Sequence, residues 1–593
     1  MSRNTITVLI VALSIFILFV TLFTLPRIDK AQPDPYFHVK ATPIAYWIGF
    51  SLSLMAVSIF SILLLRQNIG KSYRFLGIFS LLLLAVFVYM IPRLMYINKI
   101  YTDTYLFVGE VLHVLRYGHV GFGWSVESPA LSVLVAQFSL ITGVSYVTVA
   151  NFLPQVLPFI FLLYLYMVAT ILVEKHASLL ACLIFVALYW FGFAFNRQSF
   201  ALILQLLTWY CVLKVFLIKK NSLSRYVVLG LSYFALVISH PASPFVLTIN
   251  IFGIIVFVLL TSFIRRRRSR GLSNDYRDRR KLLIKAFPMA LLFLVVWLSW
   301  QTYVSGSFFV AYRNLFHALT EFLSTPNPST QVSNIVSSYT SRYYPIVNLR
   351  LFEALFVTAT GIFLSFFLLL RVSKLKNIIL SSWFISTVSL NVYVLYAHSW
   401  IYRPIIYSLP AFSLLLTLFS TLPNKTYYKL TRAVMKITKV TLLGAILSFA
   451  IVLPLVMYSH TPFVFPPTSY LKELNFITTK GNGSVVIFGS GAEFGYYVLL
   501  NNASVTPVGQ SQFFDPDLGF LINKAYDYKA IGTSFRVYTK EGFVSAQPSL
   551  MQSTLEMENH MLTNPGFARV YDADSWHKMY CRQAYFNYSQ VLP

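Results

Sequence analysis

Long apolar stretches recur along this chain, separated by short polar segments. Runs of about 20 apolar residues fall at roughly 6–25, 45–65, 75–97, 147–172, 177–195, 199–218, 226–239, 242–264, 284–304, 351–370, 377–397, 404–422 and 440–458. Each is long enough to cross a bilayer as a helix, which needs about 20 residues. The expected fold is therefore a polytopic α-helical membrane protein of about 13 transmembrane helices. The first run has no small-residue cleavage site behind it and is followed by more spans, so it is read as a retained helix. A shorter apolar stretch, 130–143, would reverse every later loop if counted as a crossing. It is read as a juxtamembrane or re-entrant helix.

The polar segments decide the orientation. Arg66, Lys71 and Arg74, then Lys219, Lys220 and Arg225, the run 265–281, Arg371, Lys374 and Lys376, and finally Lys425 to Lys439 are cation clusters that must share one face. An odd number of crossings with a cytoplasmic N-terminus puts all of them inside, as the positive-inside rule asks. The expected location is the cell membrane, multi-pass, with the tail extracellular. The other face then holds 26–44, 98–146, Asn196–Gln198, Ser239–Ala242, 305–350, 398–403 and 459–593.

Composition agrees. The 593 residues are 57% hydrophobic and 11% charged, against about 25% charged in soluble domains, and the mean hydropathy is +0.66. The net charge of +27 would suit nucleic acid, but the cations sit in short loops between spans, so no nucleic-acid partner is expected. The three cysteines, Cys182, Cys211 and Cys581, show no CxxC or Cys/His metal spacing.

The tail changes texture at 459. A helical stretch at Ser469–Thr479 leads through Lys480-Gly481-Asn482-Gly483 to a β run at 484–488. A second helical stretch lies near Glu493–Leu500, and 568–572 and 576–580 read as two strands around a turn. A small external α/β domain over 459–593 is expected. Asn482, Asn502 and Asn587 open Asn-x-Ser sequons, which are glycan acceptors only on the external face.

Candidate chemistry starts at Tyr101-Thr102-Asp103-Thr104-Tyr105, where one acidic residue opens an amphipathic helix at the membrane boundary. Leu106, Val108, Val111, Leu112, Val114 and Leu115 form its apolar pattern, with Glu110, His113 and Arg116 on the wetter side, and Gly118 ends it. Asp103 is placed to cap that helix, and a catalytic carboxylate would need the same position. Trp124-Ser125-Val126-Glu127-Ser128-Pro129 follows, ahead of the juxtamembrane helix. Phe195-Asn196-Arg197-Gln198-Ser199 and Ser239-His240-Pro241 occupy two tight external turns, and His398-Ser399-Trp400-Ile401-Tyr402-Arg403-Pro404 leads into a late helix.

This order resembles the GT-C glycosyltransferases, which use polyprenyl-phosphate-linked sugars: protein mannosyltransferases, lipid A aminoarabinose transferases and the oligosaccharyltransferase catalytic subunit. The resemblance covers roughly 75–460. It implies a GT-C-like core at 75–458 carrying the external loop 98–146 and a lid loop 305–350, preceded by two extra N-terminal helices within 1–74. It implies transfer of a sugar, with inversion, from a polyprenyl-phosphate donor to a glycan, lipid or protein acceptor. Asp103 would be the base. Arg403, Arg197 and Arg313 would hold the leaving phosphate, with His240 as a hydrogen-bond partner. Glu110, Glu127 and Tyr105 would support the loop or the acceptor. Glu110 and Glu127 could assist a divalent metal, but no obligatory metal is expected. A protein partner could use the N-terminal helices or the tail.

The chain also departs from the family pattern. Asn196 stands where several members have an acidic residue, only Pro129 stands where two prolines are common, and the tail lacks the Trp-Trp-Asp acceptor signature of oligosaccharyltransferases. Two rival readings remain: an inactive GT-C-like membrane scaffold, and a transporter. A bland alternative also stands beside each residue: arginines at helix ends reach headgroups, His240 before Pro241 ends a helix, and 305–350 is a plain linker.

Overall fold

The structure is a computed structural model. It describes residues 3–29, 37–65, 71–97, 103–121, 124–218, 222–268, 273–305, 320, 345–371, 374–396, 403–422, 429–458, 485–488, 500, 505–507, 520–524, 528–530, 533–535, 567–574 and 577–582. Arg313, nearly all of the 305–350 loop, Asn482, Asn502, Asn587 and the two helical stretches expected in the tail, apart from Leu500, lie outside the described residues.

The chain is a multi-pass helical membrane protein. Among the described residues nine helices are long and apolar enough to cross a bilayer, from Ile44–Leu64 to Ala433–Tyr458. Shorter apolar helices include Val8–Thr24, Ala130–Thr142, Ser178–Leu188, Leu223–Val237 and Leu375–Leu390. The elements used below are α1 (Arg3–Thr24), α2 (Phe37–Ala41), α3 (Ile44–Leu64), α4 (Lys71–Ala85), α5 (Ile91–Leu94), α6 (Asp103–Tyr117), α7 (Trp124–Glu127), α8 (Ala130–Thr142), α9 (Tyr146–Leu172), α10 (Ser178–Leu188), α11 (Arg197–Leu217), α12 (Leu223–Val237), α13 (Ala242–Arg268), α14 (Ser273–Ser299), α15 (Pro345–Arg371), α16 (Leu375–Tyr396), α17 (Arg403–Thr421) and α18 (Lys429–Tyr458). The helix over 130–142 rises only about 20 Å at 1.5 Å per residue, short of the roughly 30 Å hydrocarbon core.

Lipid tails are as apolar as leucine, so these helices associate through small residues and buried polar bonds rather than by escape from water. Gly361 on α15 lies under the Phe384 ring of α16, where an added Cβ would stand 2.1 Å from a ring carbon. Nearby, Asn250 of α13 accepts from Ser386 Oγ at 2.7 Å and Thr387 Oγ1 at 2.9 Å. The two N-terminal helices join the same apolar core as α4 and α10, through Val11, Tyr46, Phe60 and Leu179.

Side-chain bonds sort the two ends of the bundle. At one end lysines donate to carbonyls in or after last helix turns: Lys285 Nζ to Val215 O at 2.8 Å, Lys439 Nζ to Leu422 O at 2.6 Å, and Lys376 to Ile171 O. A cation there meets the negative pole of the helix dipole. At the other end α6, α7 and α8 lie over the helices. Two π-helical segments, Val86–Met90 and Trp300–Val304, also belong to this loop end. The first precedes Pro92, whose missing N–H and ring disturb the ladder just there.

In the tail, β1 (Val485–Phe488), β2 (Val505–Pro507), β3 (Phe520–Lys524), β6 (Phe567–Asp574) and β7 (His577–Arg582) form a five-stranded sheet in the order β2-β1-β3-β7-β6. β1 runs parallel to β2 and β3, and β3–β7 and β7–β6 are antiparallel. β4 (Tyr528–Ala530) and β5 (Thr533–Phe535) form a separate antiparallel pair.

Candidate functional site

The loop end is built on a small apolar cluster of its own. Tyr105, Val108, Val111 and Leu112 of α6 pack on Leu131, Val135 and Ala136 of α8, on Ala150 of α9 and on Phe195. Leu106, expected in the apolar pattern, is 38% exposed, and Tyr105 is buried in its place. The buried face is thus turned slightly from the expected one.

That turn corrects the placement of Glu110. It is not on a wet face: it is buried, and Arg197 Nη2 donates to its Oε1 while Ser132 Oγ donates to its Oε2 at 2.9 Å. Arg197 likewise is buried rather than reaching toward headgroups, and its guanidinium lies over the Phe107 ring, 5.2 Å from the centroid.

The position of Arg197 follows from its turn. Gly192 has a left-handed backbone, φ 68°, which a residue with a Cβ adopts rarely. Asn196 is the N-cap of α11, its side chain accepting from Ser199 N at 2.8 Å, and Ser199 Oγ accepts from Ala194 N at 3.0 Å. The first bond satisfies an N–H of the opening helix turn, and the second ties the preceding turn to the helix. They make Arg197 the first helical residue, aimed at α6.

A second knot lies at the neighbouring turn. His240 Nδ1 accepts from Ser243 N at 3.3 Å. A backbone N–H can only donate, so Nδ1 is the acceptor in that bond. Ser243 Oγ lies 3.1 Å from the same nitrogen and 2.9 Å from Tyr407 Oη. His240 does help cap α13, and it also ties that turn to α17.

Two tryptophans close the layer. Trp297 Nε1 donates to Pro241 O at 2.9 Å, and Trp300 Nε1 donates to Glu127 O at 3.0 Å. Ala130 N donates to Ile238 O at 3.2 Å. The loop between α7 and α8, the 238–241 turn and the end of α14 are therefore one connected unit. The tail touches it as well, since Arg116 Nη2 donates to Leu500 O at 2.6 Å.

The side chains of Asp103 and Arg403 lie outside the described residues, but their helices do not. α6 opens at Asp103, two turns or about 10 Å along the axis before Glu110. α17 opens at Arg403, about one turn before Tyr407. Glu110–Arg197 and Tyr407–Ser243 thus fix the rotation of the two helices that start at these positions. Sequence reading missed Ser132, Phe107, Ser243, Tyr407, Trp297 and Trp300. Tryptophans at helix ends usually signal only the membrane interface, and nothing in the sequence aimed these two at loop carbonyls.

The described donors do not fit a metal. Among the described residues no group of three or more His, Cys, Asp or Glu comes together. Both oxygens of Glu110 are engaged by Arg197 and Ser132, so ligating a metal would displace those donors.

No family model matches the chain, and no curated protein matches it. Solved structures do. The oligosaccharyltransferase of Archaeoglobus fulgidus in its apo form superposes with a TM-score of 0.50 at 12% identity, over 91% of this chain and 80% of that one. The Archaeoglobus fulgidus oligosaccharyltransferase AglB in complex with an inhibitory peptide and a dolichol-phosphate also matches at 0.50 and 12% identity, over 85% and 80%. ArnT from Cupriavidus metallidurans bound to undecaprenyl phosphate reaches 0.40 at 13% identity, over 81% and 93%; the fold assignment rests on the oligosaccharyltransferase alone. The chain has the GT-C membrane fold. At this identity the likeness speaks for fold and not for chemistry.

Proposed function

We propose that this chain is an integral-membrane glycosyltransferase. It moves a sugar from a polyprenyl-phosphate-linked donor to an acceptor at the loop end, with inversion at the sugar. The observation that carries the reading is the anchored loop-end layer on a GT-C fold. α6 starts at Asp103, and its rotation is held by the buried Glu110–Arg197 pair.

Asp103 deprotonates or orients the acceptor nucleophile while polyprenyl phosphate leaves. Arg403 and Arg313 meet the departing phosphate, with His240 as a hydrogen-bond partner. Arg197, shared with Glu110, brings less net charge to it than those two. Glu127 and Tyr105 support the loop. The loop end is extracellular, the lysine-rich end and the N-terminus are cytoplasmic, and the 305–350 loop covers the site as a lid. The tail 459–593 is an external domain that accepts glycans at Asn482, Asn502 and Asn587. The helices within 1–74, or the tail, engage a protein partner.

The reading is tested by incubating the purified protein with a set of labelled polyprenyl-phosphate sugars. Release of sugar with inverted configuration supports it. Donor binding with no release in any acceptor mixture would leave a scaffold.

A further inference from the structure

The lysine-rich end, opposite the proposed catalytic layer, holds a cavity of about 1060 Å³ between the end of α11, the first half of α12, residues 278–293 of α14 and the start of α16 with the link before it. Four lysines line it. Lys281 and Lys285 are one turn apart on α14, while Lys374 arrives from the α15–α16 link and Lys376 from the first turn of α16. The single carboxylate among the lining residues is Asp278, and Glu174 also acts on Lys376 from outside the lining, so the four lysines outnumber the carboxylates near them.

The positive-inside rule asks only that cations lie in cytoplasmic loops. It does not ask that cations from segments about ninety residues apart converge on one cavity, which costs Coulomb repulsion unless an anion offsets it. Lys285 and Lys376 are held by the Val215 and Ile171 carbonyls. Lys281 and Lys374 are exposed, with no ion-pair partner among the described residues. The rest of the lining is mostly apolar, including Leu229, Met289 and Leu292. Ile284 and Leu292 are 63% and 59% exposed on the lipid-facing side of α14. A cationic rim over an apolar wall that continues onto the lipid-facing surface matches a ligand with an anionic head and hydrocarbon chains.

We propose that this cavity binds a phosphate-headed anionic membrane lipid, its headgroup between Lys281 and Lys374 and its chains along Ile284 and Leu292. Basic pockets between transmembrane helices on the cytoplasmic side are suited to such headgroups. The site lies at the end opposite the proposed transfer site and holds whatever the chain catalyses.

The test is native mass spectrometry of the full-length protein with phosphatidylglycerol, phosphatidylcholine or inorganic phosphate added. The wild type is expected to retain phosphatidylglycerol about ten-fold better than phosphatidylcholine. Lys281→Gln with Lys374→Gln should lose that preference, while Lys281→Arg with Lys374→Arg keeps it, as does Lys436→Gln, an exposed cation at the same end outside the cavity. If the glutamine pair does not elute as monodisperse protein, Lys374→Gln alone, in the link before α16, carries the same comparison. Equal retention of the two lipids, or a preference that survives the glutamine pair, overturns the proposal. Displacement of the lipid by inorganic phosphate overturns the lipid reading in favour of a free-phosphate site.

Discussion

Arg197, the first residue of α11, donates to Glu110 in the middle of α6, and both side chains are buried. This pair joins a membrane helix to an amphipathic helix at its end, and Ser132 of α8 takes the other carboxylate oxygen. Removing one partner of a buried ion pair costs about 3–5 kcal/mol, whereas replacing both with apolar residues is often neutral. Arg197→Met and Glu110→Leu should each lower thermal stability sharply, and the double variant should recover most of it. Melting curves in detergent for the four proteins read the coupling directly; additive losses would mean the pair does not hold α6.

Trp300 reaches the loop ahead of α8 through its bond to Glu127 O. Trp300→Phe keeps the edge-on contact with the Phe234 ring and removes that donor, at about 0.5–1.5 kcal/mol. Amide hydrogen exchange over 124–129 should quicken several-fold, with that of α16 unchanged. No change in the loop would show that other contacts hold it.

Gly361 leaves no room for a side chain beneath Phe384. Gly361→Ala should destabilise the protein by about 1–3 kcal/mol through overpacking. Adding Phe384→Leu should restore part of the loss. The check is the yield of monodisperse protein and its melting temperature; a neutral Gly361→Ala would mean that α15 and α16 pack more loosely.

His38 on α2 is buried against Tyr458, ring centroids 4.6 Å apart, outside the spanning helices. Burial holds its pKa down to about 3, below the ordinary 6.5. The unfolded chain therefore binds a proton at His38 below pH 6.5 that the folded chain refuses. Stability from this residue is complete above pH 6.5 and is lost as pH falls from there toward 3. His38→Gln should flatten the fall in melting temperature between pH 7 and 5. An unchanged slope would place the sensitivity elsewhere.

Much of the fold was legible because a bilayer imposes it. Apolar runs of about 20 residues separated by lysines and arginines leave few alternatives, and Ala130–Thr142 is as short as its sequence suggested. Strands at 485–488, 567–574 and 577–582 lie where β-rich runs stand in the sequence. The site was legible as positions but not as partners. Arg197, Glu110 and His240 were singled out, yet periodicity assigned Glu110 to water. On an amphipathic helix a charge defaults to the wet face, and only the distant Arg197, 87 residues away, reverses that. Ser243 and Tyr407 carried no signal at all, since their bond to one another spans 164 residues.

The central claim is that the Asp103 position is catalytic. Asparagine caps a helix about as well as aspartate, so Asp103→Asn separates chemistry from structure. Wild type and Asp103→Asn are purified side by side and given labelled polyprenyl-phosphate sugars, with melting temperature measured on the same samples. If Asp103 is the base, yield and stability are equal, the wild type turns over, and the variant loses about a hundred-fold or more, the scale of one general base. Turnover by Asp103→Asn at the wild-type rate would contradict it.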